Sequence, residues 1–123
     1  MPPTALVVDD SMLVRHTVCR FLEARGYEVE SSTNGAEALQ MVGCVHPDII
    51  ITDMIMPRMT GPELITALKS NPTTASIPIV IVAGRGSAAD ARNESRANYV
   101  IYKDIDVVAQ LEKALAAIFT HAR

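Results

Sequence analysis

Asp9 and Asp10 follow the apolar run Ala5-Leu6-Val7-Val8, and Asp53 follows Ile49-Ile50-Ile51-Thr52. Lys103 follows a third run, Tyr99-Val100-Ile101-Tyr102. If these runs are parallel strands, their carboxyl ends gather three carboxylates and one ammonium in a single crevice. Three carboxylates at close quarters repel one another unless protons or a cation offset them. Mg²⁺, a hard divalent cation that prefers oxygen ligands, meets that need and leaves Lys103 to receive an incoming anion. The chemistry implied is phosphoryl transfer onto a carboxylate.

Positioning such a cluster requires alternating strands and helices, and the chain reads that way. Short β-branched runs alternate with helical patterns, the signature of βα units around a parallel sheet. The first strand is Ala5 to Val8. Ser11 caps the next helix, in which Val14, Val18, Phe21 and Leu22 recur at helical spacing, and Gly26 closes it. Tyr27 to Ser32 is a second strand, with Glu28 and Glu30 facing outward as on a sheet edge. Asn34 caps a short helix carrying Ala38, Leu39 and Val42, and His46-Pro47 ends it. After the third strand comes a loop from Met54 to Gly61, which the methionines Met54, Met56 and Met59 are expected to pack. Pro62 then fits the first turn of a helix with Leu64, Ile65 and Leu68. Ile77 to Val82 reads as a strand buried on both faces. From Gly84 to Ala97 the only apolar residues are alanines, so a fourth helix there has a thin packing face. The last helix is expected to carry Val108, Leu111, Leu115 and Ile118 on one stripe. Five βα units of this kind make a flavodoxin-like α/β fold whose ligands bind beyond the carboxyl ends of the strands.

Length and composition narrow the function. With 123 residues, the chain is expected to form one domain, residues 1–123. Hydrophobic residues make up 49% and aromatics only 4%, so the core is aliphatic. The net charge is −3 with no cluster of Lys and Arg, which disfavours nucleic acid as a partner. No apolar run approaches the ~20 residues of a membrane span, and the N-terminus lacks the basic region of a signal peptide. A cytoplasmic protein is expected, without a membrane partner. Cys19 and Cys44 have no metal or redox spacing and read as buried, reduced thiols. His16, His46 and His121 lack metal-spaced companions and read as surface or packing residues.

The Asp9-Asp10 pair, Asp53 followed by Met56-Pro57-x-Met59-x-Gly61, and Lys103 together resemble the receiver domain of two-component response regulators. The resemblance covers essentially the whole chain. It implies a five-stranded sheet in the order 2-1-3-4-5, in a three-layer α/β/α arrangement. It further implies that Asp53 is the phosphoacceptor, attacking the phosphorus of a phosphohistidine on a histidine kinase or phosphotransfer protein. Asp9, Asp10, Asp53 and the backbone carbonyl of Ile55 would hold Mg²⁺, and Lys103 would pair with Asp53 and then with the phosphoryl group. Such a protein is a phosphoacceptor with at most slow self-dephosphorylation rather than an enzyme. With no output domain in this sequence, a stand-alone or excised receiver acting on an unknown downstream protein is expected.

Three positions depart from the family pattern. Ala83 stands where family members carry Thr or Ser, so the phosphoryl group must find other donors, such as the N–H groups of Ala83 or Gly84, Arg85 or Ser87. Val100 stands where a rotating aromatic is usual, and Asp104 replaces the proline after the lysine. A cis bond before a non-proline residue costs about 2.5–4 kcal/mol, so a trans bond is expected. These changes keep the acceptor while removing the usual relay to a partner, giving an unconventional or weak switch. One alternative is a degenerate receiver acting as a scaffold without phosphorylation. A haloacid-dehalogenase-like phosphatase would need an Asp where Ile55 stands, and flavin binding would need a phosphate loop after the first strand.

Overall fold

The computed structural model describes residues 2–120; His121 lies outside them. The elements in chain order are β1 (Thr4–Val8), α1 (Met12–Ala24), β2 (Glu28–Ser32), α2 (Gly35–Val45), β3 (Ile49–Asp53), α3 (Gly61–Lys69), β4 (Ile79–Ala83), a 3₁₀ turn (Arg85–Ser87), α4 (Ala88–Arg92), β5 (Tyr99–Tyr102) and α5 (Val107–Thr120). The strands form one parallel sheet in the order β2-β1-β3-β4-β5. This is the flavodoxin-like topology expected from the alternating pattern.

Side-chain alternation along each strand assigns the two faces. Ala5, Val7, Ile49, Ile51, Val80, Val82 and Ile101 pack under α1 and α5, against Val18, Leu22, Leu111 and Ala114. Leu6, Val8, Ile50, Ile79, Ile81 and Ala83 pack under α2, α3 and α4, against Ala38, Val42, Leu64, Ile65, Leu68 and Ala91. The central strands are buried on both faces, as near-continuous β-branched runs require. β2 exposes Glu28 and Glu30 at one edge of the sheet.

Helix starts are fixed by side-chain caps. Ser11 Oγ accepts from the Val14 N–H at 3.3 Å and Asn34 Oδ1 from the Glu37 N–H at 2.8 Å. At α3, Thr60 and Glu63 form a reciprocal capping box, with Pro62 in the first turn. Gly26 leaves α1 at φ +91°, a conformation that glycine adopts without strain.

Three sequence expectations are corrected and others are met. β4 starts at Ile79 rather than Ile77, because Pro78 has no N–H to donate to the ladder. The fourth helix expected between 84 and 97 forms as the 3₁₀ turn and the five-residue α4, and its packing face is thin as expected, with Ala91 its single buried side chain. With Asp106 Oδ1 accepting from the Ala109 N–H at 3.1 Å, α5 begins so that Val107 faces the sheet and Val108 is 39% exposed. Cys19 is half-buried and Cys44 exposed, not buried as expected. Met54 and Met56 are buried and Met59 packs against them, as anticipated for the loop. All peptide bonds among the described residues are trans, including the one between Lys103 and Asp104.

Two glycines set opposite demands. A Cβ on Gly61 would collide with the Asp53 carbonyl and come within 3.0 Å of Met54 Cα, whereas one on Gly43 meets nothing within 4 Å. Gly61→Ala is therefore expected to lower stability by about 1–3 kcal/mol through overpacking against backbone. Gly43→Ala, inside α2, is expected to raise it by about 0.5–1 kcal/mol. Urea denaturation of the two variants checks both signs.

Candidate functional site

Strand register brings the cluster together. Val8 pairs with Thr52, Asp53 with Val82, and Ala83 with Tyr102. Asp9 and Asp53 thus stand side by side where β1 and β3 end, with Lys103 one strand beyond β4. By alternation all three belong to the α1–α5 face, since they continue the rows through Val7, Ile51 and Ile101.

Each functional side chain is held by its neighbours. Asp9 Oδ1 accepts from the Ser11 N–H at 2.9 Å, and the Arg15 guanidinium donates to the Asp9 carbonyl at 2.8 Å. Asp53 Oδ1 accepts from the Met54 N–H at 2.8 Å. The loop beyond Asp53 is closed by the Gly61 N–H donating to the Met54 carbonyl at 2.9 Å. The end of β5 is clamped by Gln110 of α5. Its Oε1 accepts from the Tyr102 N–H and its Nε2 donates to the Tyr102 carbonyl, both at 2.8 Å. From that fixed end Lys103 Nζ reaches Asp53 Oδ2 at 2.8 Å and Asp9 Oδ2 at 3.3 Å.

Asp9 is 2% exposed. Burial pushes its carboxyl up to about 6, opposed by the Ser11 N–H bond, with the charge of Asp53 raising it further and that of Lys103 lowering it. For Lys103, burial alone would lower the ammonium. The hydrogen bond to Asp53 and the charges of Asp9 and Asp53 outweigh it, and the net direction is upward.

Asp10 is exposed beside the buried pair, and Asp9, Asp10 and Asp53 each offer a carboxylate oxygen within 4.8 Å of the others. Asp9 Oδ2 is buried without a hydrogen-bond partner, although the Lys103 ammonium approaches it as an ion pair. An orphaned buried oxygen among three carboxylates suits a hard divalent cation, so these residues fit Mg²⁺.

The remaining singled-out residues fall into two groups. Ala83 is fully buried, and with Val100 and Tyr102 it packs into the α2–α4 core. Ile55 is 62% exposed on the loop after Asp53. Gly84 runs beside the Lys103 stem, and Arg85 forms an ion pair with Asp104. Ser87 is buried and its hydroxyl donates to the Gly84 carbonyl at 3.4 Å. Gln110, which sequence reasoning missed, carries no motif; only its polar side chain on the first turns of an otherwise apolar stripe could have drawn notice.

Residues 5–116 match the response regulator receiver domain family. The chain belongs to that family. Among curated relatives, the response regulator MprA of Mycolicibacterium vanbaalenii is 38% identical over 90 residues, covering 73% of this chain and 38% of that protein. The receiver thus spans well under half the length of the curated relatives it matches. The chemotaxis response regulator CheY4 of Vibrio cholerae superposes with a TM-score of 0.85 at 30% identity, covering 97% of this chain and all of that one. A putative response regulator from Chloroflexus aurantiacus superposes with a TM-score of 0.87 at 27% identity over the full length of both. Receivers of this family are generally phosphorylated on aspartate by histidine kinases or phosphotransfer proteins and bind Mg²⁺ in an acidic pocket. No helix among the described residues is long and apolar enough to cross a membrane.

The raised Asp9 carboxyl has a stability consequence whose sign is fixed. The folded state holds this proton more tightly than an unfolded chain does, so stability falls as pH rises from about 4 through about 6. Asp9→Asn keeps an acceptor for Ser11 but removes the buried charge. In EDTA at pH 7.5 it is expected to be more stable than the native receiver by roughly 2–3 kcal/mol. At pH 4 the two are expected to converge, as urea denaturation at both pH values checks.

Proposed function

We propose that residues 1–123 form one receiver domain that accepts a phosphoryl group on Asp53 and signals by protein–protein contact. The observation that carries this reading is the Lys103–Asp53 ion pair at 2.8 Å within the acidic cluster. A carboxylate oxygen of Asp53 attacks the phosphorus of a phosphohistidine. The new O–P bond forms as the P–N bond breaks, and the imidazole leaves with the electron pair. The Met54 N–H holds Oδ1 and Lys103 holds Oδ2, so the nucleophile is oriented before the donor arrives. Lys103 then meets the negative charge that develops on the transferred group. Asp9, Asp10, Asp53 and the Ile55 carbonyl are the residues that would hold Mg²⁺, which when bound offsets the charge of the phosphoryl oxygens.

A histidine kinase or phosphotransfer protein is the proposed donor, and a downstream protein the recipient of the signal. Exposed Met12 and Leu13 at the start of α1, and Ile105 just beyond Lys103, support docking of protein partners. Neither nucleic acid nor a membrane is a proposed partner, and a cytoplasmic location is proposed. Ala83 and Val100 occupy the usual relay positions as apolar residues of one packed cluster, which supports an unconventional switch. The buried methyl of Ala83 also favours a second reading, a phosphorylation-independent scaffold.

Incubation with acetyl phosphate and Mg²⁺, followed by intact mass, separates the two readings. The native chain is expected to gain one phosphoryl group and Asp53→Asn none; an unmodified native chain would leave only the scaffold. The apolar, exposed side chain of Ile55 cannot position an attacking water, so the acyl phosphate is expected to be long-lived. Ile55→Asn should shorten its lifetime several-fold, and decay of the native form within seconds would contradict this account.

A further inference from the structure

Arg85 and Asp104 leave the ends of β4 and β5, and their side chains meet across the gap between the two loops. Arg85 Nε lies 3.6 Å from Asp104 Oδ2. The strand ends beneath them are joined, with the Lys103 N–H donating to the Ala83 carbonyl at 2.9 Å. A Cβ on Gly84 would stand 4.0 Å from Lys103 Cδ, so the β4 loop runs along the side chain that reaches Asp53.

We propose that Arg85 is the phosphoryl-sensing cation of this receiver and Asp104 its resting counter-ion, exchanged for the phosphoryl group when Asp53 is modified. The inference rests on Asp53 being the acceptor and names how that site is read out. Three observations carry it. The cleft is short of side-chain donors, since Ala83 has no hydroxyl and packs into the α2–α4 core, and the Lys103 ammonium is already shared between Asp53 and Asp9. The resting pair is weakly held, because Arg85 is 88% exposed and Asp104 about half exposed. A phosphoryl group carries about −1.5 to −2 charges on three oxygens, which suits the guanidinium fork better than one solvated carboxylate does.

The exchange also supplies an output. Asp104 precedes exposed Ile105 and Asp106, whose side chain caps the first turn of α5. Removing Arg85 from Asp104 releases the segment that joins Lys103 to α5. The signal therefore runs from loop to loop over the end of the sheet, without a hydroxyl at 83 or an aromatic at 100.

The test uses beryllofluoride, which on a carboxylate stands in for the phosphoryl group, titrated with Mg²⁺ into the native chain, Arg85→Ala, Asp104→Asn and the double variant. Arg85→Ala is expected to weaken binding about tenfold, the scale of a charge-assisted hydrogen bond. Asp104→Asn is expected to strengthen it by up to about fivefold, the scale of a surface ion pair, but to have no effect once Arg85 is absent. In the native chain the Arg85 Nε–H resonance and the amides of residues 104–106 are expected to shift together on binding. Binding unchanged in Arg85→Ala, or an Asp104→Asn effect that persists without Arg85, would overturn the inference while leaving Asp53 as acceptor. If the native chain bound no beryllofluoride at all, the acceptor reading would fail and this inference with it.

Discussion

Asp9 and Asp53 end adjacent strands with buried carboxylates, and the ammonium of Lys103 sits against both. Two desolvated negative charges so close together are costly, and a single shared cation offsets only part of that cost. The residue is visible in the Asp9 carboxyl, held well above the usual range, and in its oxygen without a hydrogen-bond partner. The site is thus kept under electrostatic tension by a fold stable enough to hold it. Relief comes from a proton or from a divalent cation. Affinity for the ligands of the site and instability of the empty site have the same physical origin.

That tension can be sustained because backbone elements fix every participant. The sheet register sets Asp9 beside Asp53, Gly61 allows the loop after Asp53 to fold back on its own strand, and Gln110 pins the strand end from which Lys103 extends. Side-chain alternation then puts the charged trio on the α1–α5 side and the apolar residues Ala83, Val100 and Tyr102 on the other. Charge chemistry and apolar packing are separated by the thickness of the sheet. A signal that crosses between them must travel either through the strands or around their ends.

Much of this was legible because the information is local or periodic. Runs such as Ile49–Thr52 announce doubly covered strands, and a charged residue closing such a run marks the carboxyl edge of the sheet. Ser11, Asn34 and Pro62 name their helix starts through cap chemistry alone. The Thr60–Glu63 box carries an equally local signature that sequence reasoning overlooked. Other features depend on meetings that no short-range pattern encodes. Arg85 finds Asp104 only because β4 and β5 are neighbours in the same register, and Gln110 reaches Tyr102 only once α5 has docked. Choosing Val107 over Val108 required the starting residue of α5, which Asp106 sets by a single hydrogen bond.

The brevity of α4 bears on how the molecule breathes. Five residues anchored by the methyl group of Ala91 bury little area, so the crossover between β4 and β5 is the least firmly fastened covering of the sheet. Amide protons there should exchange through small openings well below the global unfolding free energy. Because the crossover overlies the face opposite Asp9, Asp53 and Lys103, such an opening bares Ile81 and Val100 while the α1–α5 side stays closed. The domain therefore has a soft flank and a hard flank, with Asp9, Asp53 and Lys103 on the hard one.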